Sequence, residues 1–202
     1  MTIAITRAIS LVFSPLIVPT LGMLVLLFSH SYNSLLPMQL KMIILMVVAV
    51  NSFVLPLLMI SLFKRLGIVT SINMDNPKER LFPLFFTLIP FAFTYYFVRQ
   101  LPMVTLIPQF VLGGTAIVFV SFLITFWWKI SIHMISVGGL VGLFYTLSIR
   151  MVDQTLPLLL IAITISGFVG WARLTLGAHR PSQVYAGFFL GKLIVCSTLY
   201  IL

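Results

Sequence analysis

Acidic residues are almost absent. Asp75, Glu79 and Asp153 are the three acids in 202 residues. That shortage argues against a hydrolase built on paired carboxylates and against a cage of oxygen ligands for a metal. Cysteine occurs once, as Cys196 in the last apolar run. No disulfide framework and no zinc or redox motif follows from it, and packing is its expected role. Charged residues make up only 7% of the chain, far fewer than in a soluble domain of this size. With no linker and no low-complexity tract, residues 1–202 read as a single integral membrane domain.

Hydrophobic residues account for 61% of the sequence, gathered in runs of about 20, the length that crosses a hydrocarbon core. An outer-membrane barrel would instead show short alternating segments. The expected fold class is therefore all-α, a polytopic bundle of six to seven transmembrane helices. Seven apolar segments are expected at 9–29, 39–63, 81–98, 104–127, 131–149, 156–172 and 182–202. The first is interrupted by Pro15 and Pro19, and the second contains Asn51 and Pro56. Arg7 precedes the first segment without a small-residue cleavage site, so that segment reads as a transmembrane helix and not as a removed signal peptide.

Alternation of the segments sends the N-terminus, the 64–80 loop and the 128–132 and 173–181 junctions to one face of the membrane. This convergence requires 81–127 to be a hairpin. Gly138/Gly142, Ser166/Gly170 and Gly187/Gly191 have the small-xxx-small spacing that permits close helix approach in lipid. They suggest that segments five to seven form the core.

The polar groups on the shared face are unusual for lipid surroundings, where ionisable residues mark functional sites by default. Residues 171–191, WARLTLGAHRPSQVYAGFFLG, hold Arg173, His179, Arg180 and Gln183. His179 and Gln183 are four apart, so a helix turn brings the imidazole to the amide. The earlier junction, WWKISIH, contributes Lys129, Ser131 and His133, with Trp127 and Trp128 suited to the interfacial belt. A third patch, NPKER at 76–80, contributes Lys78 and Arg80. Two imidazoles and several cations without a carboxylate cluster suit phosphoryl transfer. Cations and fork-shaped guanidinium groups hold the phosphate oxygens. A neutral imidazole can attack phosphorus, and a protonated one can give a proton to the leaving group.

The 171–191 stretch resembles the third signature of the type-2 phosphatidic acid phosphatases, S-R-x5-H-x3-D. Arg173 and His179 keep its spacing, while Ala172 stands at its Ser and Gln183 at its Asp. The second signature, P-S-G-H, is matched by Ser131 and His133, with Ile130 and Ile132 at the other two positions. The first, K-x6-R-P, is not kept, and Lys78, Arg80 and Pro83 stand as a degenerate equivalent. The resemblance covers the last 75 residues well and the 75–83 loop poorly, which makes 75–202 the motif-bearing core.

The resemblance implies a metal-independent hydrolase of a membrane lipid phosphate or pyrophosphate, acting through a phosphohistidine. His179 would be the nucleophile, Gln183 its orienting partner and His133 the general acid. Arg173, Lys78, Arg80, Ser131 and Lys129 would bind the phosphate. The partners implied are a phosphate-bearing lipid and the bilayer, with no nucleic acid and no cofactor. It also implies a bacterial inner-membrane protein with a periplasmic site, whereas positive-inside counting would put the same face in the cytoplasm.

Plainer readings stand beside these. Lys64 and Arg65 read as a membrane flank, His30 as incidental, and Asn51 and Gln109 as interhelical hydrogen-bonders. Lys192 either snorkels or faces the bundle. Gln183 lacks the charge of the family's Asp. It therefore favours the alternative of a weak or inactive relative that binds or transports an anionic lipid. A transporter would keep its site near the bilayer midplane.

Overall fold

Pro15 divides the first apolar segment. Proline has no N–H to continue the helical ladder. The chain therefore forms two short helices, α1 (Thr2–Val12) and α2 (Val18–Phe28), where one interrupted span was expected. The computed structural model describes residues 2–28, 36–70, 77–101, 106–150 and 155–200. His30, Asp75, Asn76 and Asp153 lie outside them.

The second segment is one continuous helix, Met38–Arg65, made of α3 (Met38–Ala49), a π turn at Val50–Val54 and α4 (Leu55–Arg65). Pro56 explains the π turn. It cannot donate to the Ser52 carbonyl one turn back, so the helix widens ahead of it, and the Leu55 N–H bonds the Val50 carbonyl instead. The widened turn buries Asn51 and Ser52. The Ser52 hydroxyl meets that of Thr20 on α2 at 3.0 Å. Among the described residues Asn51 makes no hydrogen bond to another helix, contrary to expectation. Its Nδ2 donates to the Val47 carbonyl of its own helix at 2.9 Å.

A 3-10 turn, Pro77–Arg80, leads into α5 (Leu81–Arg99). Then follow α6 (Leu106–Thr125), α7 (Ile132–Ile149), α8 (Thr155–Thr175) and α9 (Pro181–Tyr200). Six helices are long and apolar enough to cross a membrane, and the described residues contain no strand. The chain is an all-α, polytopic helical bundle. Helices α5 and α6 pair as the hairpin that the topology required.

The centre of the bundle is α7. Two-thirds (67%) of it is buried, against 28–39% of the other spans, and it packs on α9, α8, α6 and α2. Glycines set its distance from α9. A Cβ on Gly191 would overlap the Ile135 carbonyl, and one on Gly138 would overlap that of Phe188. At Gly142 it would lie 2.7 Å from the Lys192 oxygen, and at Gly187 2.8 Å from the Ser131 oxygen. All are closer than real Cβ contacts allow, so only glycine lets the two backbones touch. The Ser166/Gly170 pair on α8 does not work this way. A Cβ at Gly170 would make ordinary contacts of 3.5 Å or more. At the far end Arg150 donates to the Leu199 carbonyl at 2.6 Å, closing the C-terminal turn of α9.

Candidate functional site

The site begins with the way α8 ends. The Ala178 N–H reaches the Arg173 carbonyl at 3.2 Å and the Gly177 N–H reaches that of Leu174 at 3.0 Å. Gly177 has φ +63°. This is a Schellman stop, and glycine adopts its left-handed conformation without a Cβ penalty. Pro181 then opens α9 at its first helical position, where a missing N–H costs nothing. Between the stop and the start the chain turns inward and buries His179.

Gln183, three residues after the Arg180 cap, folds back as a capping-box residue does. Its Oε1 accepts the Arg180 backbone N–H at 3.0 Å and meets His179 Nδ1 at 3.1 Å. A backbone N–H can only donate, so the accepting atom is the amide oxygen. His179 Nδ1 therefore carries the proton, and the lone pair of the neutral ring lies on Nε2. Burial holds the His179 pKa down at about 4, with Arg80, Arg173 and Lys129 lowering it further against the raising effect of the Gln183 bond. At neutral pH this imidazole is uncharged and its Nε2 is nucleophilic.

His133 stands in the first turn of α7. Its Nε2 lies 3.2 Å from the Ser10 carbonyl in the last turn of α1. A carbonyl only accepts, so Nε2–H donates and Nδ1 keeps the lone pair of the neutral ring. The bond ties α1 to the central helix.

Both histidines line one cavity of about 670 Å³. Arg7, Arg80, Lys129 and Arg173 line it too, as do Ser10, Ser121, Asn51 and Ser52. Arg80 is buried and Lys129 half-buried. The Arg173 Nε and the Ser10 and Ser121 hydroxyls are buried without a hydrogen-bond partner among the described residues. Away from this polar end the walls are apolar and include Met23, Phe91, Phe110, Ile117, Leu140 and Val195. From Arg80 to Thr94 on α5 the lining runs down 14 residues, about 20 Å at 1.5 Å per residue. The one described acid, Glu79, is outside the lining, where it accepts from the Thr70 N–H at 3.1 Å and the Thr70 hydroxyl at 3.0 Å. No cluster of three or more His, Cys, Asp or Glu exists among the described residues.

Most of the residues singled out in the sequence come together here. Arg80, Lys129, His133, Arg173 and His179 share the cavity, and Gln183 touches His179 from behind. Two do not join them. Lys78 is exposed and outside the lining, because the 3-10 turn presents Arg80 inward and its neighbour outward. Ser131 is fully buried under Gly187 at the α7–α9 contact, also outside the lining, and its hydroxyl has no partner among the described residues. Lys192 is occupied elsewhere, its Nζ 4.2 Å from the centre of the Tyr145 ring. Both amide atoms of Gln109 are buried without a partner among the described residues.

Sequence reasoning overlooked Arg7, Ser10 and Ser14. They recur at helical spacing in an otherwise apolar stretch, and that stripe was the available signal. Ser121 in α6 gave no comparable signal.

No family model, no curated protein and no solved structure matches this chain.

Proposed function

We propose that this membrane protein hydrolyses a lipid phosphate or diphosphate through a phosphohistidine on His179. The observation that carries this reading is the pair of hydrogen bonds accepted by Gln183 Oε1, which puts the proton on His179 Nδ1 and leaves Nε2 nucleophilic. Three cations around that ring, Arg80, Arg173 and Lys129, suit a phosphoryl group with its charge spread over the equatorial oxygens. His179 attacks phosphorus, the leaving oxygen departs on the opposite side, and water then cleaves the N–P bond. Gln183 keeps the ring oriented as positive charge grows on it. His133, whose Nε2–H is held by the Ser10 carbonyl, lines the same cavity. The apolar length of the cavity suits a substrate whose tail stays out of water. The spacing of Arg173 and His179, shared with the type-2 phosphatidic acid phosphatases, supports the same reading.

The second reading is a protein that binds or moves an anionic lipid without cleaving it. Two observations favour it. Gln183 supplies no negative charge for the phosphohistidine, and the cavity runs from the polar junctions to Phe110 and Val195 within the apolar helices α6 and α9. Phosphate release from a panel of lipid phosphates by detergent-purified protein, beside His179→Ala, separates the two. The hydrolytic reading expects release that His179→Ala abolishes. Binding with no release from any lipid would leave the second reading in its place.

A further inference from the structure

The cations of the cavity fall into two groups. Arg80, Lys129 and Arg173 line it from the turn before α5, the junction before α7 and the end of α8, and Arg7 lines it from α1. Arg7 is an exposed residue of α1 that lines the same cavity. On the same helix face, three residues on, Ser10 is 8% exposed. Ser10 lines the cavity, its hydroxyl is buried without a partner among the described residues, and its carbonyl holds His133. A buried hydroxyl without a partner is costly. Placed beside an arginine, it is a ready donor for an anion. His133 meets this pair at the Ser10 carbonyl and shares the cavity with the His179 group.

His133 adds a chemical constraint. Its donating Nε2–H is engaged by the Ser10 carbonyl, and the neutral ring offers only an acceptor at Nδ1. It is thus poorly set to protonate a departing alkoxide, whose conjugate acid is about as weak as water. A departing phosphate monoester needs no such help, since its own second pKa is about 6.

We propose that Arg7 and Ser10 form a second anion subsite, and that the preferred substrate is a lipid diphosphate over a lipid monophosphate. The terminal phosphoryl group sits against His179, Arg80, Arg173 and Lys129. The phosphate attached to the lipid sits against Arg7 and Ser10. The Nε2 lone pair of His179 forms a bond to the terminal phosphorus. The bond from that phosphorus to the bridging oxygen breaks, and its electron pair stays on the lipid monophosphate, which leaves unprotonated. Water then adds to the phosphohistidine, the N–P bond breaks, and its electrons return to Nε2. Inorganic phosphate departs, and the proton lost by water leaves with it or passes to solvent. This assignment rests on the phosphohydrolase reading for its chemistry, but the subsite itself is a matter of binding.

The test uses farnesyl diphosphate and farnesyl monophosphate, which share one tail, with the full chain in detergent. Phosphate release should favour the diphosphate by at least about tenfold in kcat/KM, as expected for charge-assisted contacts made to one substrate and not the other. Arg7→Gln and Ser10→Ala should each reduce that ratio, while Arg65→Gln, a charge loss on an exposed residue outside the cavity, should preserve it. Equal kcat/KM for the two lipids, or an Arg7→Gln effect equal on both, overturns the subsite. Binding to His179→Asn, read as the shift in denaturation temperature, distinguishes the two possible failures. If no phosphate is released from either lipid, yet the diphosphate binds more tightly and Arg7→Gln removes the difference, hydrolysis is wrong and the subsite stands. If the two lipids bind equally, the subsite is wrong whatever the hydrolysis shows.

Discussion

Gln183→Glu is the most informative single change. The two side chains are isosteric, so the carboxylate takes the place of an oxygen that already accepts from Arg180 N–H and His179 Nδ1–H. The cap survives, because Glu is the usual partner in a capping box and favours a helix N-terminus. What changes is the charge opposite Nδ1. A nearby opposite charge raises a histidine pKa by about 1–2 units. His179 should thus move from about 4 to nearer 5–6, on that estimate, and still be neutral at pH 7.5. The transition state gains more than the ground state, because attack on phosphorus makes the ring cationic. A neutral hydrogen bond contributes about 1 kcal/mol and a charge-assisted one about 1.5–3, so the gain is about 1–2 kcal/mol, or roughly 5–30-fold in rate. Single-turnover phosphate release, followed from pH 4 to 8, measures both effects. The rate at pH 7.5 should rise within that range, and the acidic limb should move up by the same 1–2 units. Gln183→Leu, which loses the cap and the orientation together, should be slower than wild type and less stable by about 1 kcal/mol. If Gln183→Glu matches wild type in both rate and acidic limb, Gln183 is a helix cap and nothing more, and the assignment of His179 as nucleophile loses its support.

Three further outcomes are expected. His179 is held at about 4 when folded, whereas an unfolded chain protonates it near 6.5. The unfolded state therefore takes up the proton first as pH falls, and the stability present above about 6.5 declines toward pH 4 by no more than about 2–3 kcal/mol. Thermal denaturation of wild type and His179→Asn across that window should show the slope in the first and a flatter profile in the second. Gly191→Ala puts a Cβ into the Ile135 carbonyl and should cost at least about 1–3 kcal/mol, read as a lowered denaturation temperature. Gly167→Ala, with nothing within 4 Å of the added carbon, should leave that temperature unchanged or raised. Arg80→Gln should lower kcat/KM for phosphate release by about tenfold or more, as loss of a charge-assisted contact does. Lys78→Gln should change it by less than about twofold, as befits an exposed cation.

The sequence displayed the helices well, because a lipid core demands long apolar runs and leaves few alternatives. It showed the convergence of the polar junctions too, since that follows from alternation. It did not show which residue of each patch turns inward. Lys78 and Arg80 are equally basic, and only the 3-10 turn before α5 sends one to the cavity and one to solvent. Nor could it separate Ser131 from Ser10. The first has the motif spacing and ends up buried beneath Gly187. The second has no motif, yet it lines the cavity and its carbonyl holds His133. Motif spacing is a statement along one chain segment, and a cavity wall is assembled from helices far apart in sequence. The split of the first segment was visible in Pro15, but its consequence was not, because nothing local says that α1 will pack against α8.

The polar chemistry depends on apolar packing in a specific way. His133 is carried by the first turn of α7, and His179 by the residues just before α9. Their separation is therefore set by how closely those two helices lie, which the glycines decide. Gly187 and Gly191 meet α7 at Ser131 and Ile135, and Gly138 and Gly142 meet α9 at Phe188 and Lys192. The contacts thus run from the site downward along both helices. Relief of an overlap at Gly191 must move one backbone away from the other, and the nearer contact at Gly187 lies level with Ser131, whose N–H donates to the Gln183 carbonyl at 3.4 Å. That bond is the direct link between the His133 turn and the His179 turn. A substitution one or two turns deep in the apolar interface should therefore reach the site through this link. In phosphate release Gly191→Ala should lower kcat in the fraction that remains folded, since near-attack geometry tolerates errors well under about 1 Å. Unchanged kcat in that fraction would mean that the two turns are positioned independently of the α7–α9 contact.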